Sequence, residues 1–174
     1  MTSKELPILD NSGEVIAIIE IPKGSDIKFE MDAKTGRMKI DRFITNPGPY
    51  PFNYGFIENT LSEDGDALDV LVLSDRPLMS GSKISCRPIG LLQMEDEKGK
   101  DTKILAILIN NAADSFSKIT DIREVDLAAA NKIRDFFKFY KKNEPNKWSR
   151  VYDFLGAKEA LAEIRKAAIK KTQD

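Results

Sequence analysis

The sequence predicts an α+β fold dominated by β-structure, in which a β-barrel or β-sandwich carries packed helices. Three observations predict it. Residues 14–109 contain short β-branched or alternating stretches separated by Pro and Gly, the pattern of strands and turns. Residues 126–171 contain apolar residues at spacings of three and four, the pattern of amphipathic helices. A length of 174 residues suits one domain, so we expect residues 1–174 to form a single folded unit.

The first strands are predicted from short apolar patterns. Residues 14–21 are largely β-branched, which indicates a strand buried on both faces. Residues 27–32 alternate between apolar and charged side chains, as a half-buried strand does. In residues 38–43 the same alternation places Arg42 on the face of Ile40, so an arginine continues an apolar row.

Residues 46–56 are rich in proline and aromatic residues. The prolines argue against a central strand, and three aromatic side chains favour a loop packed on the core over an exposed ligand for a partner domain. Further strands are predicted at residues 70–73, 83–93 and 104–109. Cys86 is interpreted as a core residue rather than a nucleophile, because the chain has no His to activate a thiolate.

Two main helices are predicted after the strands. The first covers residues 127–140, and Asp126 is its expected N-cap. Lys141 follows at its far end, where a cation suits the helix dipole. The second helix is predicted at about residues 157–171.

Charge and composition disfavour several classes of function. Lys and Arg number 27 against 28 Asp and Glu, a net charge of −1, which argues against a general nucleic-acid binder. The chain has no apolar run of about 18 residues, which argues against a membrane protein. One Cys excludes an internal disulfide and suits a reducing compartment. The N-terminal residues lack the apolar segment of a secretory signal, so we expect a cytoplasmic protein.

An acidic stretch at residues 63–69 indicates a metal site. In an extended chain Asp64 and Asp66 point the same way, Gly65 lets the backbone bend, and Asp69 begins the next strand. Like charges about 4 Å apart repel by about 1 kcal/mol per pair in water, which a bound cation relieves. Oxygen ligands in a chain without His favour Mg²⁺ or Mn²⁺ over Zn²⁺.

The acidic stretch has two other interpretations. Acidic turns are usually solvated surface, because charged residues are rarely buried. A calcium-binding EF-hand loop is excluded, since it requires an oxygen ligand at its fifth position and Gly at its sixth. Counting from Asp64, these positions hold Leu68 and Asp69.

Further charged residues interrupt the apolar pattern along the chain, and their types suit phosphoryl transfer if they converge. Seven acids and four bases would give a local charge of −3. Metals would then neutralise phosphate oxygens, bases would bind them, and a carboxylate would remove a proton from water. In the absence of a Ser–His pair or a thiolate, direct attack by a metal-bound hydroxide remains. The acids are Glu20, Glu30, Asp64, Asp66, Asp69, Asp96 and Asp101, the bases are Lys28, Arg42, Lys103 and Lys141, and Tyr54 and Tyr140 add neutral donors.

Over residues 14–152 these motifs occur in the order and at the spacing of a known family. The most specific is Asp-Gly-Asp-Ala-Leu-Asp-Val at residues 64–70. The other motifs are at residues 20–22, 27–30, 41–43, 50–55, 86–90 and 136–141, together with Asp96, Asp101 and Lys103. In all of them the chain resembles the soluble family I inorganic pyrophosphatases of the bacterial type.

The resemblance implies an OB-like five-stranded barrel, with two main C-terminal helices packed on it and the active site at its mouth. It implies an enzyme, an inorganic diphosphatase that hydrolyses inorganic pyrophosphate to two orthophosphates. It also implies several Mg²⁺ ions per site, with Mn²⁺ as a possible substitute, and a homohexamer. Because the chain has no His, subunit contacts that relatives build from histidines must be made by other residues.

The resemblance also assigns roles to the candidate residues. Metal binding falls to Asp64, Asp69, Asp101, Asp96 and Glu20, with Asp69 bridging two ions and Glu20 acting through water. Asp66 becomes the general base. Phosphate binding falls to Lys28, Arg42, Tyr54, Tyr140 and Lys141. Lys103 tunes the electrostatics of the pocket, to which Glu30 also belongs.

Two alternative functions stay open from the residues. One is a related hydrolase acting on nucleoside triphosphates or polyphosphate, although no P-loop is present. The other is a non-catalytic OB-type module that binds divalent metal ions. The first predicts phosphate release from a different phosphoanhydride, and the second predicts metal binding without turnover.

Overall fold

The computed structural model describes residues 13–45 and 47–169, which form nine strands, two α-helices and one 3₁₀ helix. The strands are β1 (Val15–Ile21), β2 (Ile27–Met31), β3 (Met38–Phe43), β4 (Asn53–Ile57), β5 (Asp69–Leu73), β6 (Lys83–Asp96), β7 (Gly99–Lys100), β8 (Lys103–Leu108) and β9 (Ser149–Gly156). The helices are α1 (Leu127–Phe139), α2 (Ala157–Ala167) and the 3₁₀ helix Ile122–Glu124. No helix in these two ranges is long and apolar enough to span a bilayer.

Five strands close into a barrel. Their order is β1, β4, β5, β8 and β6, and β6 pairs in turn with β1. The β5–β8 pair is parallel and the other four pairs of the ring are antiparallel. The five-stranded barrel predicted for this chain is therefore confirmed. Five of the seven residues of β1 are buried, and they include side chains on both faces of the strand, as its apolar pattern predicts. Ile16 and Glu20 are half-buried.

The prediction for residues 46–56 is partly wrong. Its aromatic residues are buried as predicted, with Tyr50 and Phe52 in the main core. The chain, however, re-enters the sheet two residues after Pro51 as β4, a central strand of the barrel. A proline excludes ladder pairing only at its own position, so the segment becomes a regular strand once the last proline has passed.

Close packing of β4 on β1 depends on Gly55. It lies opposite Ile19, and a Cβ atom built on Gly55 would lie 1.8 Å from the carbonyl oxygen of Ile18. No side chain fits this gap, because the backbone atom that fills it cannot move without breaking the β1–β4 pairing.

Strands β2 and β3 form a separate two-stranded sheet, and its register corrects one prediction. Lys28 is opposite Arg42, but the next residue, Phe29, is opposite Ile40. Asp41 is therefore an extra residue in β3, a β-bulge. Residues directly opposite each other share a face, so Arg42 lies on the face of Lys28 and not on the face of Ile40.

The C-terminal part contains a strand between the two helices, which the sequence pattern did not predict. This strand, β9, pairs with the second half of β6 and extends the sheet beyond the barrel. Helix α1 begins after Asp126, whose side chain accepts a hydrogen bond from Ala129 N, as predicted. Helix α2 ends at Ala167, earlier than predicted, and residues 170 and 171 lie outside the described residues.

The two helices cover different faces of the barrel, each over its own hydrophobic cluster. Ile133, Phe136 and Phe137 of α1 pack on one cluster, which includes aromatic residues of the 50–54 segment. Ala160 and Ile164 of α2 pack on the other. The same strands supply both clusters, because successive side chains of a strand point to opposite faces.

Candidate active site

A cleft of about 610 Å³ lies between the barrel, the β2–β3 hairpin and the end of α1. Nine acidic and six basic residues line it, which gives a charge of −3 when all are ionised. All thirteen side chains singled out in the sequence line this cleft: Glu20, Lys28, Glu30, Arg42, Tyr54, Asp64, Asp66, Asp69, Asp96, Asp101, Lys103, Tyr140 and Lys141. The fold thus brings together charges that are spread over most of the sequence.

The parallel pairing of β5 and β8 creates the centre of the cleft. Val70 is opposite Ile104, so the residues before them, Asp69 and Lys103, are neighbours at the start of the two strands. Antiparallel pairing in the same place would put the start of one strand beside the end of the other. The strand direction therefore determines that this carboxylate and this ammonium group meet.

Lys103 is a buried cation that bridges acidic residues. Its side chain is only 3% exposed, and its Nζ lies 2.6 Å from Asp69 Oδ2 and 2.8 Å from Asp101 Oδ1. Nζ also donates to the Tyr54 hydroxyl at 3.1 Å. Burial alone would lower the pKa of Lys103, but the neighbouring Asp69 and Tyr54 outweigh it and raise the pKa well above its ordinary value. Lys103 is therefore charged at any physiological pH.

Two carboxyl groups in the cleft have raised pKa values because they are buried. Burial raises the pKa of Glu20 to about 7, although Met31 N donates to its Oε2 at 2.9 Å, and the charge of Asp69 adds to the increase. Burial also raises the pKa of Asp101, although Lys103 opposes the change. Both groups hold their negative charge at a cost, which a further cation in the cleft would reduce.

The acidic turn places two carboxylates at the solvent side of the cleft. Asp64 and Asp66 are both exposed, and Asp66 N donates to Asp64 Oδ1 at 3.0 Å. Between them Gly65 has φ +88°, a conformation that glycine adopts without strain. The bend predicted at this glycine is therefore present.

Asp96 and Lys141 form a second ion pair at the edge of the cleft. Lys141 Nζ lies 2.6 Å from Asp96 Oδ2 and 3.5 Å from Glu97 Oε1. Burial favours the neutral form of Asp96, but the hydrogen bonds from Lys141 and from Lys98 N hold the pKa of this carboxyl below its ordinary value. Lys141 thus neutralises an acid of the cleft in addition to any effect on the α1 dipole.

The donor set of the cleft fits a hard divalent cation. Its acidic residues supply oxygen ligands only, and no His exists in the chain. Within residues 13–45 and 47–169, however, no three acidic, His or Cys side chains approach closely enough to form a cage for a metal ion. Asp69 and Asp101 are instead joined through Lys103, while Asp64 and Asp66 are in solvent. Metal binding would therefore draw the exposed carboxylates inwards.

The candidate phosphate-binding cations come from the β2–β3 hairpin. Lys28 Nζ lies 3.2 Å from Asp41 Oδ2. Arg42 Nη2 lies 2.6 Å from Glu144 Oε1, in the loop after α1. Both side chains therefore have carboxylate partners in this structure, and each cationic group has further N–H donors from which a phosphate group can accept.

Two tyrosines supply neutral donors. Tyr140 donates to Asp101 Oδ2 at 3.4 Å, and the Tyr54 hydroxyl accepts from Lys103. Burial raises the pKa of both phenols well above the ordinary value, so both stay protonated. A protonated phenol can donate a hydrogen bond to a phosphate oxygen.

Six charged residues in or beside the cleft were not in the predicted set: Asp41, Glu58, Glu97, Lys98, Glu144 and Lys147. Three of them are carboxylates that pair with candidate phosphate-binding cations. Asp41 and Glu97 are adjacent in sequence to predicted residues, Arg42 and Asp96. The pairs Glu97–Lys141 and Glu144–Arg42 join segments that meet only in the folded protein, so spacing along the chain carries no signal for them.

The barrel and this cleft define a class of protein. Acids that can hold hard cations line the same space as bases and phenols that can bind an oxygen-rich anion. This combination is typical of hydrolases that act on phosphoanhydrides with the help of divalent metal ions.

Comparisons with known proteins identify the family. A sequence model described as inorganic pyrophosphatase matches residues 17–172. The chain is 47% identical over 160 residues to the inorganic pyrophosphatase of Saccharolobus solfataricus, covering 92% of this chain and 93% of the relative. It is 44% identical over 167 residues to that of Aquifex pyrophilus, covering 95% and 94%. The chain belongs to the inorganic pyrophosphatase family.

Solved structures agree with the sequence relatives. The inorganic pyrophosphatase from Thermus thermophilus superimposes with a TM-score of 0.87 at 41% identity, over 95% of each chain. That from Helicobacter pylori gives a TM-score of 0.87 at 39% identity, over 94% of this chain and 96% of the other. The predicted family and the OB-like fold are thus confirmed. Enzymes of this family hydrolyse diphosphate and generally require a divalent metal ion.

Proposed function

We propose that this cleft hydrolyses inorganic pyrophosphate to two orthophosphates with several Mg²⁺ ions, for which Mn²⁺ can substitute. The observation that carries the proposal is the shared lining of the cleft, where oxygen donors for hard cations lie beside cationic and phenolic donors for phosphate. Pyrophosphate is a small, highly charged anion made of oxygen-rich groups, and it suits such a lining. The negative charge of the cleft explains why metal ions must accompany the substrate.

The acids of the cleft are the proposed metal ligands. Mg²⁺ held there supplies neutralisation of phosphate oxygens and acidification of a water molecule. The ligands are Asp64, Asp69 and Asp101 for the tightest ion, with Asp96 and Glu20 for ions that arrive with substrate. Lys103 stays between Asp69 and Asp101 as a fixed positive charge and limits their repulsion.

Asp66 is the proposed general base. Its carboxylate is exposed on the acidic turn, where water has free access, and it lines the same cleft as the phosphate-binding side chains. A carboxylate in this position can accept the proton of an attacking water. Lys28, Arg42, Tyr54, Tyr140 and Lys141 would donate to phosphate oxygens, and the cations among them would stabilise charge on the leaving phosphate. Glu30 is at the edge of the cleft, 4.0 Å from Lys39, and would contribute to the field of the pocket.

We also propose that residues 1–174 act as one domain, that the chain assembles into a homohexamer, and that it works in the cytoplasm. The family model covers most of the chain, which supports one domain. Exposed apolar side chains such as Phe43 and Met79, 68% and 77% exposed, are available for subunit contacts. The unpaired, buried Cys86 suits a reducing compartment.

A phosphate-release assay tests the proposal. Wild type should release orthophosphate from pyrophosphate with Mg²⁺, and the activity should disappear with EDTA and return with excess Mg²⁺. Asp66→Asn should lower kcat by about 10²–10⁴, the usual contribution of a general base. Asp153→Asn, an exposed acid outside the cleft, is the matched control and should be unaffected.

The same assay separates the alternatives. Faster phosphate release from ATP or polyphosphate than from pyrophosphate would favour the related hydrolase. Metal binding without phosphate release from any of the three would favour a non-catalytic module. Wild-type kcat in Asp66→Asn would remove that residue from its proposed role.

A further inference from the structure

Glu144 joins two parts of the molecule across the edge of the cleft. It is in the loop after α1, and its side chain is only 19% exposed. Its Oε1 lies 2.6 Å from Arg42 Nη2 on the β2–β3 hairpin. Its Oε2 lies 2.9 Å from Lys147 Nζ, with which it forms an ion pair but no hydrogen bond. Glu144 is therefore held on one side by its own loop and holds the hairpin on the other.

The β-bulge in β3 makes this contact possible. The extra residue Asp41 moves Arg42 to the face of Lys28, and both of these basic side chains line the cleft. A long arginine side chain on a two-stranded hairpin has several rotamers, and fixing it costs about 2 kcal/mol of rotamer entropy. A carboxylate that already binds one end of the guanidinium group reduces the freedom that substrate binding must remove.

The guanidinium group of Arg42 still has a donor to offer. Its Nε is buried and makes no hydrogen bond, and Asp41 Oδ2 is 3.9 Å away. A buried N–H group without an acceptor is costly and rare in folded proteins. The Arg42 side chain as a whole is 31% exposed and lines the cleft, so the accessible part of its guanidinium group can donate to a phosphate oxygen there.

We propose that Glu144 is a positioning residue for substrate binding. It holds Nη2 of Arg42, so that the accessible part of the guanidinium group is directed to a phosphate oxygen of pyrophosphate. The inference rests on the proposed role of Arg42 in binding phosphate. It adds that the hairpin and the loop after α1 act together as a phosphate-binding unit.

Steady-state kinetics of pyrophosphate hydrolysis with saturating Mg²⁺ test this role. Glu144→Ala should raise KM about tenfold and change kcat less than about twofold, because the lost interaction acts on binding. Glu144→Gln keeps an oxygen acceptor for Nη2 and should show a smaller rise. Glu95→Ala is the matched control, since Glu95 forms an ion pair with Arg150 at 3.1 Å and does not line the cleft. Its KM should equal that of wild type.

A double-mutant cycle distinguishes positioning from a general effect on the fold. If Glu144 acts through Arg42, then Glu144→Ala should have no further effect on KM in an Arg42→Ala background. Additive effects would overturn the proposal, as would an unchanged or lower KM in Glu144→Ala. Circular dichroism checks that each variant is folded, and Glu144→Gln serves for the cycle if Glu144→Ala is not.

The controls also separate this inference from the proposed function. A wild type that releases no phosphate would contradict the function itself, and the inference would fall with it. An active wild type, with a raised KM in Arg42→Ala but not in Glu144→Ala, would contradict the inference alone.

Discussion

At the scale of single residues, Lys103 acts as a permanent cation inside an acidic cleft. It is almost fully buried, and two carboxylates and a phenol surround its ammonium group. A buried charge is tolerated only when it is paired, so the lysine and its acids stabilise one another. This arrangement keeps the barrel folded around Asp69 and Asp101 before any other cation arrives.

Lys103→Met tests this role, because methionine fills much of the space without the charge. In EDTA the substitution should lower the free energy of unfolding by about 3–5 kcal/mol, the cost of leaving a buried charge unpaired. Mg²⁺ should recover more stability in this variant than in wild type. Urea denaturation with and without Mg²⁺ measures both effects.

Lys100→Met is the control for this change. Lys100 pairs with Glu163 in a more exposed position, and its loss should cost no more than about 1 kcal/mol. Equal stability of Lys103→Met and wild type in EDTA would contradict the proposed balance of charges.

Glu20 predicts a pH dependence of the metal-free protein. Its pKa is about 7 when folded, against an ordinary value of 4.5, so the folded state binds the proton more tightly than the unfolded state. Stability attributable to this group is therefore complete below pH 4.5 and is lost as the pH rises through 7. Glu20→Gln should be nearly neutral at pH 4.5 and should raise the free energy of unfolding by up to roughly 3 kcal/mol at pH 8.

Urea denaturation in EDTA at the two pH values measures this difference. Ser85→Ala, which removes no titratable group and lies outside the cleft, should show no such pH dependence. A Glu20→Gln variant that is less stable than wild type at pH 8 would show that the charged carboxylate is stabilised in the folded protein.

At the scale of elements, the hairpin shows which features the sequence can predict. The apolar–polar alternation of residues 27–31 and 38–43 correctly predicts two strands. The prediction that Arg42 lies on the face of Ile40 was wrong, because a one-residue bulge shifts every later side chain to the other face. Nothing in the local pattern marks Asp41 as the extra residue, since its position depends on pairing with the neighbouring strand.

Strand β4 gives a second example and a prediction. The prolines at positions 47, 49 and 51 led to the prediction of a loop, although a strand begins at Asn53. Gly55 within this strand allows β1 to approach closely. Gly55→Ala should lower the free energy of unfolding by at least about 3 kcal/mol or prevent folding, because its methyl group would overlap the Ile18 carbonyl. Urea denaturation or the yield of soluble protein measures the effect.

Ser85→Ala is a suitable control for the glycine substitution. Ser85 is exposed in β6, where a change of side chain meets solvent. Its stability should stay within about 0.5 kcal/mol of wild type. A Gly55→Ala variant of wild-type stability would mean that β1 and β4 can separate without cost.

At the scale of the whole molecule, the sequence motifs predicted which residues line the cleft better than they predicted how the strands pair or which side chains form ion pairs. Residue types and spacing were sufficient to select thirteen side chains, and the fold places them all in one cleft. Three features could not be predicted in the same way: the strand order around the barrel, the strand β9, and the carboxylates that pair with the proposed phosphate-binding cations. They depend on contacts between segments far apart in sequence, which local patterns do not encode.

Cys86 reports on closure of the whole barrel. It is opposite Val15 of β1 and Leu108 of β8, at the junction that completes the ring, and burial raises the pKa of its thiol to about 12. A thiol reagent at pH 8 should therefore react only when the barrel opens. If Mg²⁺ binds only the folded protein, it lowers the population of the open form. At a free Mg²⁺ concentration of about 100 times the Kd of Mg²⁺, the rate of thiol labelling should therefore fall about 100-fold.

The labelling experiment has two controls. Protein unfolded in urea should react at once, and NaCl of equal ionic strength should not slow the reaction of the folded protein. Rapid labelling of the folded protein in the presence of Mg²⁺ would show that the ring is open or that the ion does not bind to the closed form.

The contribution of both Glu20 and Lys141 to one cleft has a consequence for biosynthesis. A nascent polypeptide that has been translated only as far as β8 contains all five strands of the barrel. It still lacks Tyr140, Lys141 and the loop that carries Glu144. The proposed set of phosphate-binding residues is therefore complete only after the end of α1 has been translated. Fragments that end before α1 should turn over no substrate, and they also lack Ile133, Phe136 and Phe137 of the main hydrophobic cluster.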